Sequence, residues 1–210
     1  MDLTERMVES KTIFEGKIVR LTLDQAELPN GTLAAREVVY HPGGVAVLAL
    51  DEENNVALVR QFRYPIRREL LELPAGKLDH GAEEDRLLGA KRELSEETGL
   101  EASEWTYLGY TLASPGFCDE ALHMYLARGL TQKEQHLDED EFLNVVTMPF
   151  DQLVEQVMDG TITDAKTVAT TTYVTLGPYV FAAVIYFCIN FPASKAIEAV
   201  ERRMRRGDNQ

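Results

Sequence analysis

The chain has only two cysteines, Cys118 and Cys188, in 210 residues. Their number and separation exclude a disulfide framework and a cysteine-based zinc site, and they fit a reducing compartment. Positive charge is also scarce: 21 Lys and Arg stand against 35 Asp and Glu, a formal net charge of −14. That balance excludes a non-specific nucleic-acid binder, which needs a basic face. The opening MDLTERMVES lacks an apolar h-region, so no secretory signal is read and a cytoplasmic location is expected. There is no internal repeat and no low-complexity tract. What the chain does have is 45% hydrophobic residues, enough at this length for one well-packed core. The surplus of carboxylates has two readings: a solvated acidic surface, or a few positions that converge on divalent cations. Spacing decides between them.

Alternating and apolar runs predict strands over 16–24, 33–40, 44–50, 56–62, 105–112, 121–127 and 144–148. Pro29-Asn30-Gly31 and Asp51–Asn55 read as turns between neighbours. The clearest helix is Glu84–Thr98, with apolar residues at helical spacing and Gly99 where a C-terminal cap belongs. Further helices are expected over 150–158 and 163–170. Mixed strands with a few helices give an α+β class.

The chemistry concentrates in residues 73–100, LPAGKLDHGAEEDRLLGAKRELSEETGL. Glu93, Glu96 and Glu97 stand at i, i+3 and i+4, so a helix presents all three carboxylates on one face. Alone, such a cluster reads more readily as a solvated stripe. Three like charges repel, and a hard divalent cation turns that repulsion into coordination.

The surrounding pattern favours the metal. A glycine loop precedes the helix, Arg92 precedes the first carboxylate, and Glu-Glu-x-Gly-apolar closes the run. This resembles the Nudix box: Gly, five residues, Glu, seven residues, then Arg-Glu-apolar-x-Glu-Glu-x-Gly-apolar. Counting back eight from Arg92 gives Glu84 as the first box glutamate, with Glu83 as the alternative; Gly76 then lies two residues too early, an insertion in the loop 77–83. The resemblance implies Mg²⁺ as cofactor, with Mn²⁺ as a substitute. Glu93 and Glu97 would be the principal ligands, with Glu96 and the Ala75 carbonyl contributing and Arg92 orienting the carboxylates.

Further features resemble the ADP-ribose pyrophosphatase subfamily. Pro115, followed by Gly116, lies fifteen residues beyond Leu100. Val59–Arg63 resembles that group's strand ending in Gln-Phe-Arg, which implies a substrate contact for Arg63. LDEDEFLNV resembles its acidic loop and makes Glu141 the candidate for activating water, with Glu139 nearby as an understudy. Arg36 and Tyr64 are weaker substrate-binding candidates. The implied fold is a Nudix α/β/α sandwich (43–173) behind a small N-terminal antiparallel β domain (1–42), which in this group exchanges across a homodimer. The implied reaction is ADP-ribose and water to AMP and ribose 5-phosphate. Other nucleoside-diphosphate sugars, or ligand binding without hydrolysis, are the alternatives.

Residues 174–210 fall outside this pattern. Lys166 and Lys195 bracket a stretch with no charged residue, and a basic end follows. The stretch resembles the closing segment of an amino-acid ABC transporter permease. A gene fusion, membrane association through 174–193, and a buried helix are the three readings of it.

Overall fold

The computed structural model describes residues 2–78, 84–137 and 141–177, with positions 186, 188 and 195. The chain divides into two compact units, Met1–Thr171 and Thr172–Gln210. The first holds two sheets. Strands β1 (Arg6–Glu15), β2 (Arg20–Glu27) and β3 (Leu33–Tyr40) form an antiparallel meander. The second sheet contains β4 (Gly44–Leu50), β5 (Asn55–Arg63), β6 (Arg68–Glu72), β7 (Ala75–Lys77), β8 (Leu100–Leu112), β9 (Ala121–Gln132) and β10 (Leu143–Pro149). Its central path runs β10-β5-β4-β9-β8, with β4 and β9 parallel.

Strand β4 is buried at every position, so it must be covered on both faces. Its odd residues Val45, Val47 and Ala49 pack with Ala90 and Leu94 of helix α1 (Arg86–Thr98). Ala46, Leu48 and Leu50 are equally buried and, by the period of two, face the other way. Helix α2 (Phe150–Met158) packs on β5 and β10 and buries Leu153 completely. The result is the expected sandwich of helices around a mixed sheet.

Strands β4 and β5 pair only through Ala49 and Leu50 with Ala57 and Val56. Beyond that point they splay apart. The first half of β4 pairs with β7, and the outer half of β5 pairs with β6. Segment 68–77 is therefore wedged between the two strands, and the wedge carries Glu72 and Ala75 into the functional site.

Helix α1 starts where its cap allows. Asp85 accepts from the backbone amides of Leu87 and Leu88 at 2.9 and 3.2 Å. At the other end Gly99 adopts φ 69°, a left-handed conformation that glycine takes without strain, and its amide donates to the Ser95 carbonyl. The helix thus begins two residues after the expected Glu84.

Three strands were not read from sequence. β1 is exposed at all ten positions, so no burial alternation marks it. β6 and β7 are five and three residues long, below the length at which periodicity shows. The expected strand over 16–24 starts only at Arg20, because Gly16 donates to the Val19 carbonyl and turns the chain.

In the second unit, residues 172–177 are helical, as are Tyr186, Cys188 and Lys195. Most of the tail singled out by composition lies outside the described residues. Among those described, no helix is long and apolar enough to cross a membrane.

Candidate metal and pyrophosphate site

The helical spacing of the glutamates sorts them by depth. Glu93 and Glu97, one turn apart on α1, are 7% and 2% exposed. Glu96 sits further out. The wedge closes over the buried pair. The Ala75 amide donates to Glu97 at 2.9 Å, and Gly76 lies so close that a Cβ there would fall 2.0 Å from the Glu93 carboxyl carbon. A side chain at position 76 would displace that carboxylate from its present place, which gives Gly76 a physical role.

Burial raises both acids. Desolvation pushes Glu93 up to about 7, with Arg92 opposing and Glu96 adding to the rise. It pushes Glu97 up to about 8, with the Ala75 amide opposing and Glu93 and Glu141 adding to the rise. Two buried carboxylates that resist ionisation are an oxygen-rich site short of positive charge, which is what a hard divalent cation supplies. Among the described residues no three acidic, histidine or cysteine side chains already converge on one point.

Arg92 holds the outer carboxylates. One guanidinium nitrogen lies 2.9 Å from both Glu93 and Glu96, and another donates to the Lys77 carbonyl at 3.2 Å. Glu84 stands 3.8 Å from the same arginine, where the sequence pattern puts the first box glutamate. The alternative, Glu83, lies outside the described residues. The C-terminal carbonyls of α1 are also occupied: Gln135 donates to Glu97 and the His136 amide to Glu96. Those bonds tie the helix to the segment that leads towards Glu141.

A second group of charges adjoins the acidic face. Glu72 is completely buried, yet it stays charged because two cations reach it. Arg63 grips it with a fork, Nε to Oε1 at 2.8 Å and Nη2 to Oε2 at 2.6 Å, and Lys166 Nζ donates to the same Oε2. Burial pushes the Glu72 carboxyl up, but the hydrogen bonds and charges of Arg63 and Lys166 outweigh it and the net shift is downward. Lys166 also donates to Asp164 at 2.9 Å, and Asp164 in turn accepts from the Thr167 amide and hydroxyl. Thr167 accepts from the Leu73 amide at 2.9 Å. Breaking a buried pair of this kind on one side costs about 3–5 kcal/mol.

Both charge groups open into one cavity of about 490 Å³. Of the residues singled out in the sequence, Arg63, Ala75, Arg92, Glu93, Glu96, Glu97 and Glu141 line it. Arg36, Tyr64, Pro115 and Gly116 are not among the lining residues. Arg36 makes a fork to Glu5, with Nε and Nη2 bonds of 2.9 and 2.7 Å. Tyr64 carries the Arg67 guanidinium 3.5 Å above its ring. Pro115 and Gly116 lie in a loop stitched to β3, where the Val39 amide donates to Phe117 and the Asp119 amide to Val39. Glu139 lies outside the described residues.

Glu72, Lys166, His41 and Glu120 also line or adjoin the cavity and were not singled out. The signal for Glu72 was legible: a glutamate inside the apolar run LLELPAG is a buried charge, and buried charges have partners.

With this geometry in place, comparison with known proteins identifies the family. The NUDIX domain matches residues 40–170, and the nucleoside diphosphate sugar hydrolase N-terminal domain matches residues 5–39. The chain belongs to the Nudix hydrolases, in the group that acts on nucleoside diphosphate sugars, and it is an enzyme with a divalent-metal cofactor. It is 41% identical over 176 residues to the ADP-ribose pyrophosphatase of Bacillus subtilis, covering 83% of this chain and 94% of that one. It is 42% identical over 174 residues to the methanol dehydrogenase activator of Bacillus methanolicus, covering 82% and 93%. Among solved structures, an ADP compounds hydrolase superposes with a TM-score of 0.73 at 21% identity, over 85% of this chain and 98% of that one, and so shares its fold.

Proposed function

We propose that the chain hydrolyses ADP-ribose to AMP and ribose 5-phosphate with Mg²⁺, Mn²⁺ serving as a substitute. The observation that carries this reading is a single cavity lined both by the buried acidic face of α1 and by the cations held on Glu72. The first suits a divalent cation and the second the charged oxygens of a pyrophosphate. The identity with an ADP-ribose pyrophosphatase supports the choice of sugar nucleotide.

Glu93, Glu97 and the Ala75 carbonyl would hold the metal, with Glu96 contributing and Arg92 keeping the carboxylates oriented. The bound metal supplies charge neutralisation at phosphorus and a more acidic water. Arg63 receives a phosphate oxygen, and Glu141 orients the attacking water.

Arg36, Tyr64, Pro115 and Gly116 remain substrate-binding candidates in a homodimer, where an exchanged N-terminal sheet would bring Arg36 to the partner's cavity. The exposed Met7, Val8, Ile13 and Phe14 of β1 favour a covering copy. The enzyme would work in the cytoplasm.

The test is AMP release from ADP-ribose with Mg²⁺, beside ADP-glucose, for the native chain and Glu97→Gln. Metal-dependent turnover, poorer with ADP-glucose and reduced on the order of 10³-fold in the variant, is the expected result. A native chain that binds ADP-ribose without cleaving it would replace hydrolysis by a binding role.

A further inference from the structure

We propose that Glu72 is a positioning residue that fixes the distance between the metal end and the cationic end of the cavity, and so selects a pyrophosphate. The inference rests on the reading above, in which Arg63 meets the substrate.

Glu72 ends β6, and Ala75 begins β7 after only Leu73 and Pro74. The carboxylate that anchors the cations and the backbone that meets Glu97 therefore belong to one short rigid segment. That segment is itself pinned. The Pro74 carbonyl accepts from the Val47 amide at 2.9 Å, and the Leu73 amide donates to Thr167.

The bonding pattern leaves the cations usable. Arg63 spends Nε and Nη2 on Glu72, so its Nη1 side carries donors for another anion, and its side chain is 39% exposed. Lys166 is 12% exposed and is shared between Glu72 and Asp164. Both residues line the cavity. With Glu72 and Asp164 the group is electrically neutral, so the cations are held without collapsing onto the catalytic acids. That collapse is the alternative open to them, since Arg63, Lys166, Glu93 and Glu97 line the same cavity. Without Glu72, Arg63 would turn to Glu97, compete with the metal and leave the phosphate end of the cavity.

The experiment uses the full-length chain with Glu72→Asp, which keeps the charge and retracts it by one methylene, and Glu72→Gln, which removes it. Calorimetry measures inorganic pyrophosphate binding in the presence of Mg²⁺, and steady-state assays give kcat and KM for ADP-ribose. Folding is checked by circular dichroism. The expected result is a folded Glu72→Asp variant whose pyrophosphate affinity falls about tenfold, with KM rising in parallel and kcat changing far less. In an Arg63→Met, Lys166→Met background the same substitution should add no further loss.

Pyrophosphate affinity within twofold of native in a folded Glu72 variant overturns the proposal, and so does a further full loss in the double background. If both Glu72 variants fail to fold, Lys166→Met takes their place, and native-like pyrophosphate affinity in it overturns the proposal. A native chain inert towards ADP-ribose defeats the proposed function, while the pyrophosphate titration still decides this one.

Discussion

Glu93 and Glu97 carry the clearest electrostatic signature in the molecule. Their folded values, about 7 and about 8, lie above the ordinary 4.5. Between those limits the folded chain binds more protons than the unfolded one, so these groups make stability fall as pH rises. Their contribution is complete below about 4.5 and is lost as pH passes through 7 and 8. A divalent cation reverses the cost by neutralising the ionised pair, and it must displace protons to do so. The rise in Tm produced by Mg²⁺, measured by differential scanning fluorimetry, should therefore grow from pH 5.5 to pH 8.5. A Glu93→Gln, Glu97→Gln double variant should lose that growth. A Mg²⁺ increment that is flat with pH in the native chain would contradict the reading.

These two acids were legible in the sequence because α1 is a regular helix, and spacing alone puts them on one face. Arg63 was legible by position but not by state, since its fork to Glu72 is a contact between two strands whose register no local pattern announces. Arg36 and Tyr64 were suggested by the resemblance alone, and within one chain Arg36 pairs with Glu5 while Tyr64 carries the Arg67 guanidinium over its ring.

At the scale of elements, the site depends on the fit of β7 against α1. Gly76 is the point of closest approach, and Gly44 on β4 is tight as well, since a Cβ there would lie 2.8 Å from the Gly76 carbonyl. Gly76→Ala should drive the Glu93 carboxylate out of its cradle while leaving the sheet intact. The expected result is turnover reduced on the order of 10²-fold or more, with weaker metal binding and a loss of about 1–3 kcal/mol in stability. Mn²⁺ titration followed by electron paramagnetic resonance, together with chemical denaturation, checks both halves. Native metal affinity in the folded variant would show that the cradle does not matter.

The helices and long strands could be read from sequence because capping residues and runs of apolar side chains mark them. Asp85, Gly99 and the buried β4 are examples. β1, β6 and β7 could not. Their existence is decided by pairing partners distant in the chain, and the splay of β4 from β5 that seats the wedge leaves no compositional trace.

At the scale of the whole molecule, every described residue that lines the cavity falls between Lys17 and Lys166, inside the first compact unit. Deleting residues 178–210 should therefore leave kcat/KM for ADP-ribose within about twofold of the full chain, because the described lining residues all precede the cut. Complete loss of activity in a folded truncation would make the tail part of the catalytic apparatus. The composition changes near residue 174, where an uncharged stretch followed by arginines reads unlike the acidic domain before it.

The bond from Lys166 to Glu72 joins residues 94 positions apart. During synthesis the acidic helix and its wedge leave the ribosome long before Lys166, Thr167 and Asp164 do. A nascent or prematurely terminated chain thus carries the metal carboxylates while its buried glutamate has only one of its cations. Such fragments would bind the anionic end of a nucleotide sugar more weakly, and full affinity would appear only once the stretch holding Asp164, Lys166 and Thr167 has been made and has docked.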